Sequence, residues 1–222
     1  MDSARQFRDN LNRHFSRIGK ALSSHKRLEI LELLRQCPKS VDTLAEGTEM
    51  TSANTSQHLQ VLRSAGLVES SRSGTHIVYR LSGDLVWDLV RTVRQVAETH
   101  LADVDRALAQ LRENQHSLSG VDRKELARLA TEGKVIVLDV RPKDEFEAAH
   151  LPHAISIPLD ELENSLGKIP PSQTVVAYCR GPYCLLASEA VDMLRKHGFK
   201  AAQLGEGLIE WRENGMPTET AS

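Results

Sequence analysis

The spacing of apolar residues changes near residue 115, and this change limits the chain to two separate domains. Before it, apolar residues recur every three or four positions, which is typical of amphipathic helices. After it, short apolar runs alternate with helical segments, which predicts a small α/β domain with a parallel sheet. We therefore predict a mainly-α domain over 1–113, a polar linker over 114–120 and the α/β domain over 121–222.

The first domain has the element order of a winged helix-turn-helix. The predicted elements are four helices and a two-stranded hairpin, over residues 7–22, 24–36, 40–46, 52–65, 67–71 and 76–81. A short turn at 48–51 separates the third and fourth helices, and a Gly-containing tip joins the two strands. This order predicts a DNA-binding domain in which the fourth helix enters the major groove.

The helix predicted over 52–65 carries hydrogen-bonding side chains around most of its surface, while Leu59 and Leu62 form an inner side. Such side chains can contact base edges, and nearby basic residues suit phosphate contacts. The predicted DNA-contacting residues are Ser52, Asn54, Thr55, Gln57, His58, Gln60, Arg63, Arg72 and His76. The alternative is a polar, solvent-facing side of an ordinary helix.

Residues 51–68, with 72–74 and 79–81, resemble the recognition helix and wing of the arsenic-repressor (ArsR/SmtB) family. The resemblance covers about residues 8–112. It implies a homodimer that binds double-stranded DNA at a palindromic operator.

The usual inducer sites of that family are missing from this sequence. Many members have a Cys pair in the third helix, but residues 39–44 contain none, and His100 with Asp103 lacks further ligands. Cys37 stands alone at a helix end, which favours a structural role. We therefore predict no metal site here, and expect sensing to depend on the other domain.

A periodic segment follows Asp84 and continues for about 30 residues without Gly or Pro, which is long for a helix in a globular domain. Its apolar residues fall on one side, which favours a dimerisation helix with a partner along that side. The alternative is a long core helix within a monomer.

Cys179 stands where a buried strand, predicted over 174–179, passes into a helix predicted over 185–197. Loop N–H groups and the helix N-terminus can stabilise a thiolate or persulfide there and lower the pKa of the Cys179 thiol. Arg180 adds positive charge. We predict a reactive Cys179, and the alternative is an inert cysteine at a strand end.

The second domain resembles a single rhodanese domain over about residues 118–216. The resemblance rests on the cysteine loop and on the segments 138–141, 145–147, 149–154, 157–158 and 205–211. It implies that Cys179 accepts sulfane sulfur as a persulfide and passes it to a thiol or cyanide. Asp139 and Arg141 are then supporting residues that form an ion pair.

Cys184 stands five positions after Cys179, where many rhodaneses have an Arg, and this departure argues against efficient use of thiosulfate. A thiol at this position can attack a Cys179 persulfide if the sulfur atoms come within bonding distance. The alternative is a small buried residue in the first helical turn. The predicted reactive site is thus Cys179, Arg180 and Cys184.

Composition limits the compartment and the partners. The first 115 residues hold 16 Lys and Arg against 14 Asp and Glu, so DNA contact requires a local basic patch. Three cysteines do not make a disulfide framework, no apolar run reaches about 18 residues, and the polar N-terminus is unlike a signal peptide. We expect a cytoplasmic protein without cofactor or membrane contact.

Three functions remain open from the sequence. The first is a transcriptional regulator, predicted to be a repressor, that responds to small sulfur species or another thiol-directed inducer through Cys179. The second is a sulfurtransferase with an accessory DNA-binding module. The third is an arsenite- or metal-responsive repressor that uses Cys179 and Cys184 together with Cys37.

Overall fold

The protein is described from a computed structural model, in which residues 2–74, 76–114 and 123–221 are placed. The chain divides into two compact units, Met1–Val104 and Asp105–Ser222. The linker predicted over 114–120 lies outside the described residues beyond Asn114. No helix in the described ranges is long and apolar enough to cross a membrane.

The first unit is mainly helical. Its helices are α1 (Asp2–Leu22), α2 (His25–Gln36), α3 (Val41–Gly47), α4 (Ser52–Ser64) and α5 (Asp84–His100). Its strands β1 (Lys39–Ser40), β2 (Val68–Ser73) and β3 (His76–Leu81) form an antiparallel sheet in the order β1-β3-β2. The β2–β3 hairpin is the predicted wing, whereas β1 is too short to leave a periodic signal in the sequence.

Hydroxyl caps determine where the two helices of the helix-turn-helix begin. Ser40 accepts a hydrogen bond from the backbone N–H three residues on at 3.1 Å, and Thr51 does the same for α4 at 3.2 Å. Gly66, with φ of 74°, turns the chain after α4 towards β2. Leu59 and Leu62 are 0% exposed, so the inner side of α4 is the predicted one.

The prediction of one uninterrupted helix after Asp84 is wrong, because the structure has two helices there. α5 ends at His100, and α6 (Ala102–Asn114) begins after Leu101, whose φ of −109° and ψ of 105° are extended. Asp103 lies in the first turn of α6, where its carboxylate complements the positive partial charge of the helix N-terminus.

The second unit alternates helices and strands. Its helices are α7 (Arg123–Thr131), α8 (Lys143–Ala148), α9 (Leu159–Ser165), α10 (Leu186–Lys196) and α11 (Leu208–Glu213). Its strands β4 (Val135–Asp139), β5 (Ile155–Ser156), β6 (Thr174–Tyr178) and β7 (Ala201–Gln203) form a parallel sheet in the order β5-β4-β6-β7. The predicted α/β fold is confirmed.

The central strands β4 and β6 are buried on both faces. Leu138 and Ala177 belong to one apolar cluster, which includes residues of α9 and α10. Val137 and Val176 belong to a second cluster on the other face, which includes residues of α7 and α11. Burial of both faces explains the apolar runs in the sequence. Because the strands are parallel, their carboxyl ends share one edge, and the cysteine loop lies there.

Candidate functional site

The candidate reactive site is the loop through which β6 passes into α10. Cys179 follows β6 directly, and α10 begins at Leu186. The backbone N–H of Cys184 donates to the carbonyl oxygen of Gly181 at 3.1 Å, which folds the loop into a tight turn. Gly181 has φ of 151°, a conformation that favours glycine. The turn brings the two cysteines together at the N-terminus of α10.

The two cysteines are free thiols, the Cys179 thiol donates to the carbonyl oxygen of Cys184, and each thiol changes the pKa of the other. Cys179 is 2% exposed, and its sulfur lies 3.4 Å from the carbonyl oxygen of Cys184. The residue Cys184 is only partly buried. Nearby backbone amide groups favour the thiolate form of both cysteines. Gly181 and Ala187 act on Cys179, and Arg180 and Leu186 act on Cys184.

Hydrogen bonding within the pair separates the two pKa values. The hydrogen bond with Cys179, helped by the N–H donors and the charge of Arg180, lowers the pKa of the Cys184 thiol to about 7. The hydrogen bond with Cys184, together with burial, raises the pKa of the Cys179 thiol well above its ordinary range. The predicted direction for the pKa of the Cys179 thiol is therefore corrected, because in the reduced pair it is the pKa of Cys184 that is lowered. That Cys179 is the reactive cysteine stays a prediction.

The guanidinium of Arg180 is bound by Glu145 on α8. Arg180 Nη2 lies 2.8 Å from Glu145 Oε1, and Nε lies 3.0 Å from each carboxylate oxygen. The Glu145 side chain is 0% exposed, and that of Arg180 is 18% exposed. Arg180, predicted to add positive charge beside the cysteine, is thus paired with a buried carboxylate, which requires such a partner. Its contacts assign Arg180 the role of positioning the loop.

Asp139 and Arg141 form the expected ion pair at the end of β4. Both side chains are 0% exposed, and Arg141 Nη2 lies 2.7 Å from Asp139 Oδ2 and 2.8 Å from the carbonyl oxygen of Ala149. The hydroxyl of Tyr178 donates to Asp139 and accepts from the N–H of Leu151 at 3.1 Å. Burial, with the charge of Asp139, raises the pKa of the Tyr178 phenol. This network holds the last residue of β6 in place below the cysteine loop.

The start of α11 packs against the backbone of the loop. A Cβ at Gly207 would lie 2.3 Å from the carbonyl carbon of Arg180, so a side chain does not fit there. Glu210 accepts a hydrogen bond from the N–H of Gly207 at 2.9 Å, and both its carboxylate oxygens would lie 3.2 Å from a Cβ at Gly181. Burial raises the pKa of the Glu210 carboxyl. The sequence analysis included Gly207 and Glu210 only within the segment 205–211, because their contact with the loop is tertiary.

The candidate DNA interface is the outward side of α4. The predicted contact residues exposed there are Ser52, Asn54, Gln57, Gln60 and Arg63. Thr55 is 0% exposed, and its hydroxyl donates to the carbonyl oxygen of Thr51 at 3.1 Å. The prediction of a base contact by Thr55 is therefore wrong, because its position on the helix places it on the same side as Leu59 and Leu62.

The other predicted DNA contacts differ in their surroundings. His58 is half-buried, with Nδ1 3.4 Å from Nη1 of Arg27, and burial followed by the charge of Arg27 lowers the pKa of His58. Arg72 is exposed near the hairpin tip, where its Nε donates to the carbonyl oxygen of Gly74 at 3.1 Å. The backbone of His76 opens β3, while its side chain lies outside the described residues.

Large apolar side chains are exposed on α1 and α5. Phe7 is 67% exposed, Phe15 62% and Leu85 79%. A cavity of about 680 Å³ is lined by residues of α1, of the segment after α4 and of the first half of α5. Apolar exposure of this extent indicates a surface for association with another protein chain.

Cys37 lies in the first unit, whereas the thiol pair lies in the second. It is 7% exposed and follows the last residue of α2. In the part of the chain that the structure describes, no three His, Cys, Asp or Glu side chains are grouped so that they could hold a metal ion. The arsenite-sensor alternative, which needs Cys37 together with the pair, stays a prediction.

Two family models match this chain, one in each half. Residues 24–70 match the bacterial regulatory proteins of the arsR family, and residues 122–214 match the rhodanese-like domain. The first match contains α2, α3 and α4, and the second contains the parallel sheet and the cysteine loop.

Known proteins are similar to the whole chain or to one half of it. The HTH-type transcriptional regulator Rv0324 of Mycobacterium tuberculosis is 41% identical over 92% of this chain and 89% of its own length. A sulfurtransferase of Allochromatium vinosum is 28% identical over 44% of this chain and 91% of its own length. The solved structure of the homodimeric winged helix-turn-helix DNA-binding domain of Mb0332 from Mycobacterium bovis is 39% identical, covers 46% of this chain and 92% of that one, and has a TM-score of 0.42.

Proposed function

Because this chain belongs to the arsR family of bacterial transcriptional regulators and also carries a rhodanese-like domain, we propose that it is a homodimeric repressor that reactive sulfur releases from its operator. One observation carries the proposal. A pair of free thiols lies in the rhodanese loop of a DNA-binding protein, with the Cys179 thiol 3.4 Å from the carbonyl oxygen of Cys184 and the pKa of Cys184 lowered to about 7. At neutral pH such a pair is ready to react with sulfane sulfur.

DNA binding rests on α4 and the β2–β3 wing. Gln57 and Gln60 are exposed on α4 and can contact base edges, while Arg63 and Arg72 are exposed and suit phosphates. The exposed apolar side chains of α1 and α5 supply a surface for a second copy of the chain. Two copies related by a two-fold axis match a palindromic operator.

The proposed chemistry needs only the two thiols and a persulfide, RS–SH. The Cys184 thiolate attacks the terminal sulfur, the S–S bond of the donor breaks, and RS⁻ leaves, so that Cys184 becomes Cys184–S–SH. Cys179 then attacks the inner sulfur of that persulfide, and HS⁻ leaves with the Cys179 proton as H₂S. The two thiols are oxidised to a disulfide, and one sulfane sulfur is reduced to sulfide.

This order exchanges the roles that the rhodanese resemblance implies for the two cysteines. We assign the first attack to Cys184 because it is the less buried thiol and because its pKa is lowered to about 7. Cys179 is held as a thiol until the charge on Cys184 is gone. Peptide mass spectrometry of the Cys179→Ser and Cys184→Ser variants after brief exposure to a persulfide separates the two orders. Only Cys179→Ser is expected to gain a stable sulfur atom rapidly.

The disulfide changes contacts at the loop, since it removes the thiolate that the N–H groups of Arg180 and Leu186 stabilise. The loop is tied to α8 through Arg180 and to α11 through Gly207, so a local change strains both. A coupling free energy of about 1–3 kcal/mol between loop and DNA site changes operator affinity by about 5–150-fold.

The test measures operator affinity by fluorescence anisotropy, with full-length protein and DNA selected from a random library by the reduced form. Wild type and the control Cys37→Ser are expected to lose about 5–150-fold in affinity after treatment with tert-butyl persulfide. Cys179→Ser and Cys184→Ser are expected to keep theirs. Mass spectrometry of the peptide spanning both cysteines checks for the disulfide. Unchanged affinity in a sample that carries the disulfide contradicts the proposal.

A second candidate function is sulfurtransferase activity, favoured by the similarity of the second half to a protein named as a sulfurtransferase. In that case Cys179 turns over repeatedly, and Cys184 is dispensable. Transfer from thiosulfate to cyanide through many cycles, abolished by Cys179→Ser and retained by Cys184→Ser, supports the enzyme. A single modification per thiol pair supports the sensor.

A further inference from the structure

Two carboxylates lie beside the thiol loop, and they bear on which sulfur donor the loop accepts. The sequence 179–185 contains one basic residue, Arg180, whose guanidinium is bound by the fully buried Glu145. The second carboxylate is Glu210, in the first turn of α11. With Arg180 paired, Glu210 adds a negative charge that the ion pair does not compensate.

Glu210 lies against the backbone of the thiol loop and is firmly held. Its carboxylate lies against Gly181, where a Cβ would be 3.2 Å from both oxygens, and the Cys179 sulfur lies 4.0 Å from the carbonyl oxygen of Gly181. One residue therefore separates the carboxylate from that sulfur. The hydrogen bond from Gly207 at 2.9 Å, and the close packing of Gly207 on the loop backbone, keep Glu210 in this position.

The outer side of the loop is apolar. Tyr183 is 39% exposed and Leu185 is 51% exposed, and they flank Cys184 in the sequence. An incoming donor thus meets aromatic and aliphatic surface before it reaches the thiols. Such a surface favours a donor with an apolar body over a small hydrated oxyanion.

We propose that Glu210 is a specificity-determining residue, which disfavours doubly charged oxyanion donors such as thiosulfate and leaves uncharged or singly charged alkyl persulfides as the donor class. The inference rests on the proposed function and names its substrate class. Thiosulfate carries two negative charges, and a fixed carboxylate in a partly buried site opposes its approach. An alkyl persulfide lacks that penalty and gains contact with Tyr183 and Leu185.

Both donors deliver the same sulfur atom, so their rates can be compared directly. With thiosulfate, the attacking thiolate takes the outer sulfur, the S–S bond breaks, and sulfite leaves with the electron pair. With an alkyl persulfide, the same attack releases RS⁻. In each case one sulfur atom is transferred and the resolving thiol then releases it as sulfide, so the rate is followed as loss of the two free thiols, by iodoacetamide quenching and mass spectrometry of the intact full-length chain.

The test compares wild type, Glu210→Gln and the control Glu213→Gln, which makes the same charge change at an exposed position of the same helix. Gln at 210 still accepts the hydrogen bond from Gly207, so the start of α11 is kept. We expect Glu210→Gln to raise the thiosulfate rate by about 10-fold or more and the tert-butyl persulfide rate by less than about 3-fold. Glu213→Gln is expected to leave the ratio of the two rates unchanged.

Salt provides a second measurement on the unmodified protein. Raising the ionic strength screens the carboxylate, so the thiosulfate rate of wild type is expected to increase relative to the alkyl persulfide rate. A ratio that neither Glu210→Gln nor salt alters overturns the inference, even if the thiols react. If neither donor modifies the thiols of any variant, the proposed function itself is refuted.

Discussion

Replacement of Cys179 by Ala or by Ser tests where the thiolate of the pair lies. The hydrogen bond with Cys179 is the largest cause of the lowered pKa of Cys184. Cys179→Ala removes that hydrogen bond, whereas Cys179→Ser supplies a hydroxyl of similar size that can donate to the same thiolate. We therefore expect the pKa of Cys184 to rise in the Ala variant and to stay low in the Ser variant.

The size of the effect follows from the two pKa values. At pH 7 a thiol with a pKa of about 7 is half ionised, and one at the ordinary value of 9.0 is ionised to about 1 part in 100, a ratio of about 50. A more basic thiolate is a better nucleophile, which offsets about 6- to 10-fold of that loss. If the full shift occurs, alkylation of Cys184 at pH 7 slows by about 5- to 8-fold, and the midpoint of its pH profile rises by about 2 units.

The assay follows alkylation of Cys184 by iodoacetamide from about pH 5.5 to about pH 10, with peptide mass spectrometry to separate it from the other cysteines. Wild type and Cys179→Ser are expected to show midpoints near neutral pH, and Cys179→Ala a midpoint shifted towards that of an ordinary thiol. A midpoint near pH 7 in the Ala variant refutes the reasoning, because the N–H donors and Arg180 then suffice without Cys179.

Three further predictions concern the scaffold and the DNA interface. Asp139→Asn leaves the buried Arg141 without its carboxylate, and urea denaturation is expected to show a free energy of unfolding that is lower by about 3–5 kcal/mol. A decrease below about 1 kcal/mol contradicts this. Gly207→Ala places a Cβ against the carbonyl carbon of Arg180, so we expect a lower melting temperature by circular dichroism and slower persulfide formation. A variant that is as stable and as reactive as wild type would contradict this, because the loop backbone would then have moved to make room at little cost. Thr55→Ala is expected to lower the free energy of unfolding by about 1–2 kcal/mol, because it removes a buried hydrogen bond. Gln57→Ala is expected to lower operator affinity at an unchanged melting temperature. A loss of stability from Gln57→Ala, with a loss of operator affinity alone from Thr55→Ala, would contradict the orientation of α4.

Local signals in the sequence predicted most of the fold. The helical periodicity of apolar residues depends on neighbours a few residues away, so it can be recognised without the tertiary structure. The same holds for the cysteine loop, because a buried strand followed by a glycine-containing turn and a helix is a local pattern. The break between α5 and α6 was missed because no Gly or Pro marks it.

The sequence by itself determined that the chain has a DNA-binding half and an α/β half, and that two cysteines lie five residues apart at the end of a buried strand. Only the tertiary structure separated the pKa values of the two thiols, because hydrogen-bond donors and burial set that difference in three dimensions. It also paired Arg180 with Glu145, which lies 35 residues earlier, and brought Glu210 against Gly181. Charges so far apart in sequence interact only after the sheet has brought its strand ends and helices to one edge.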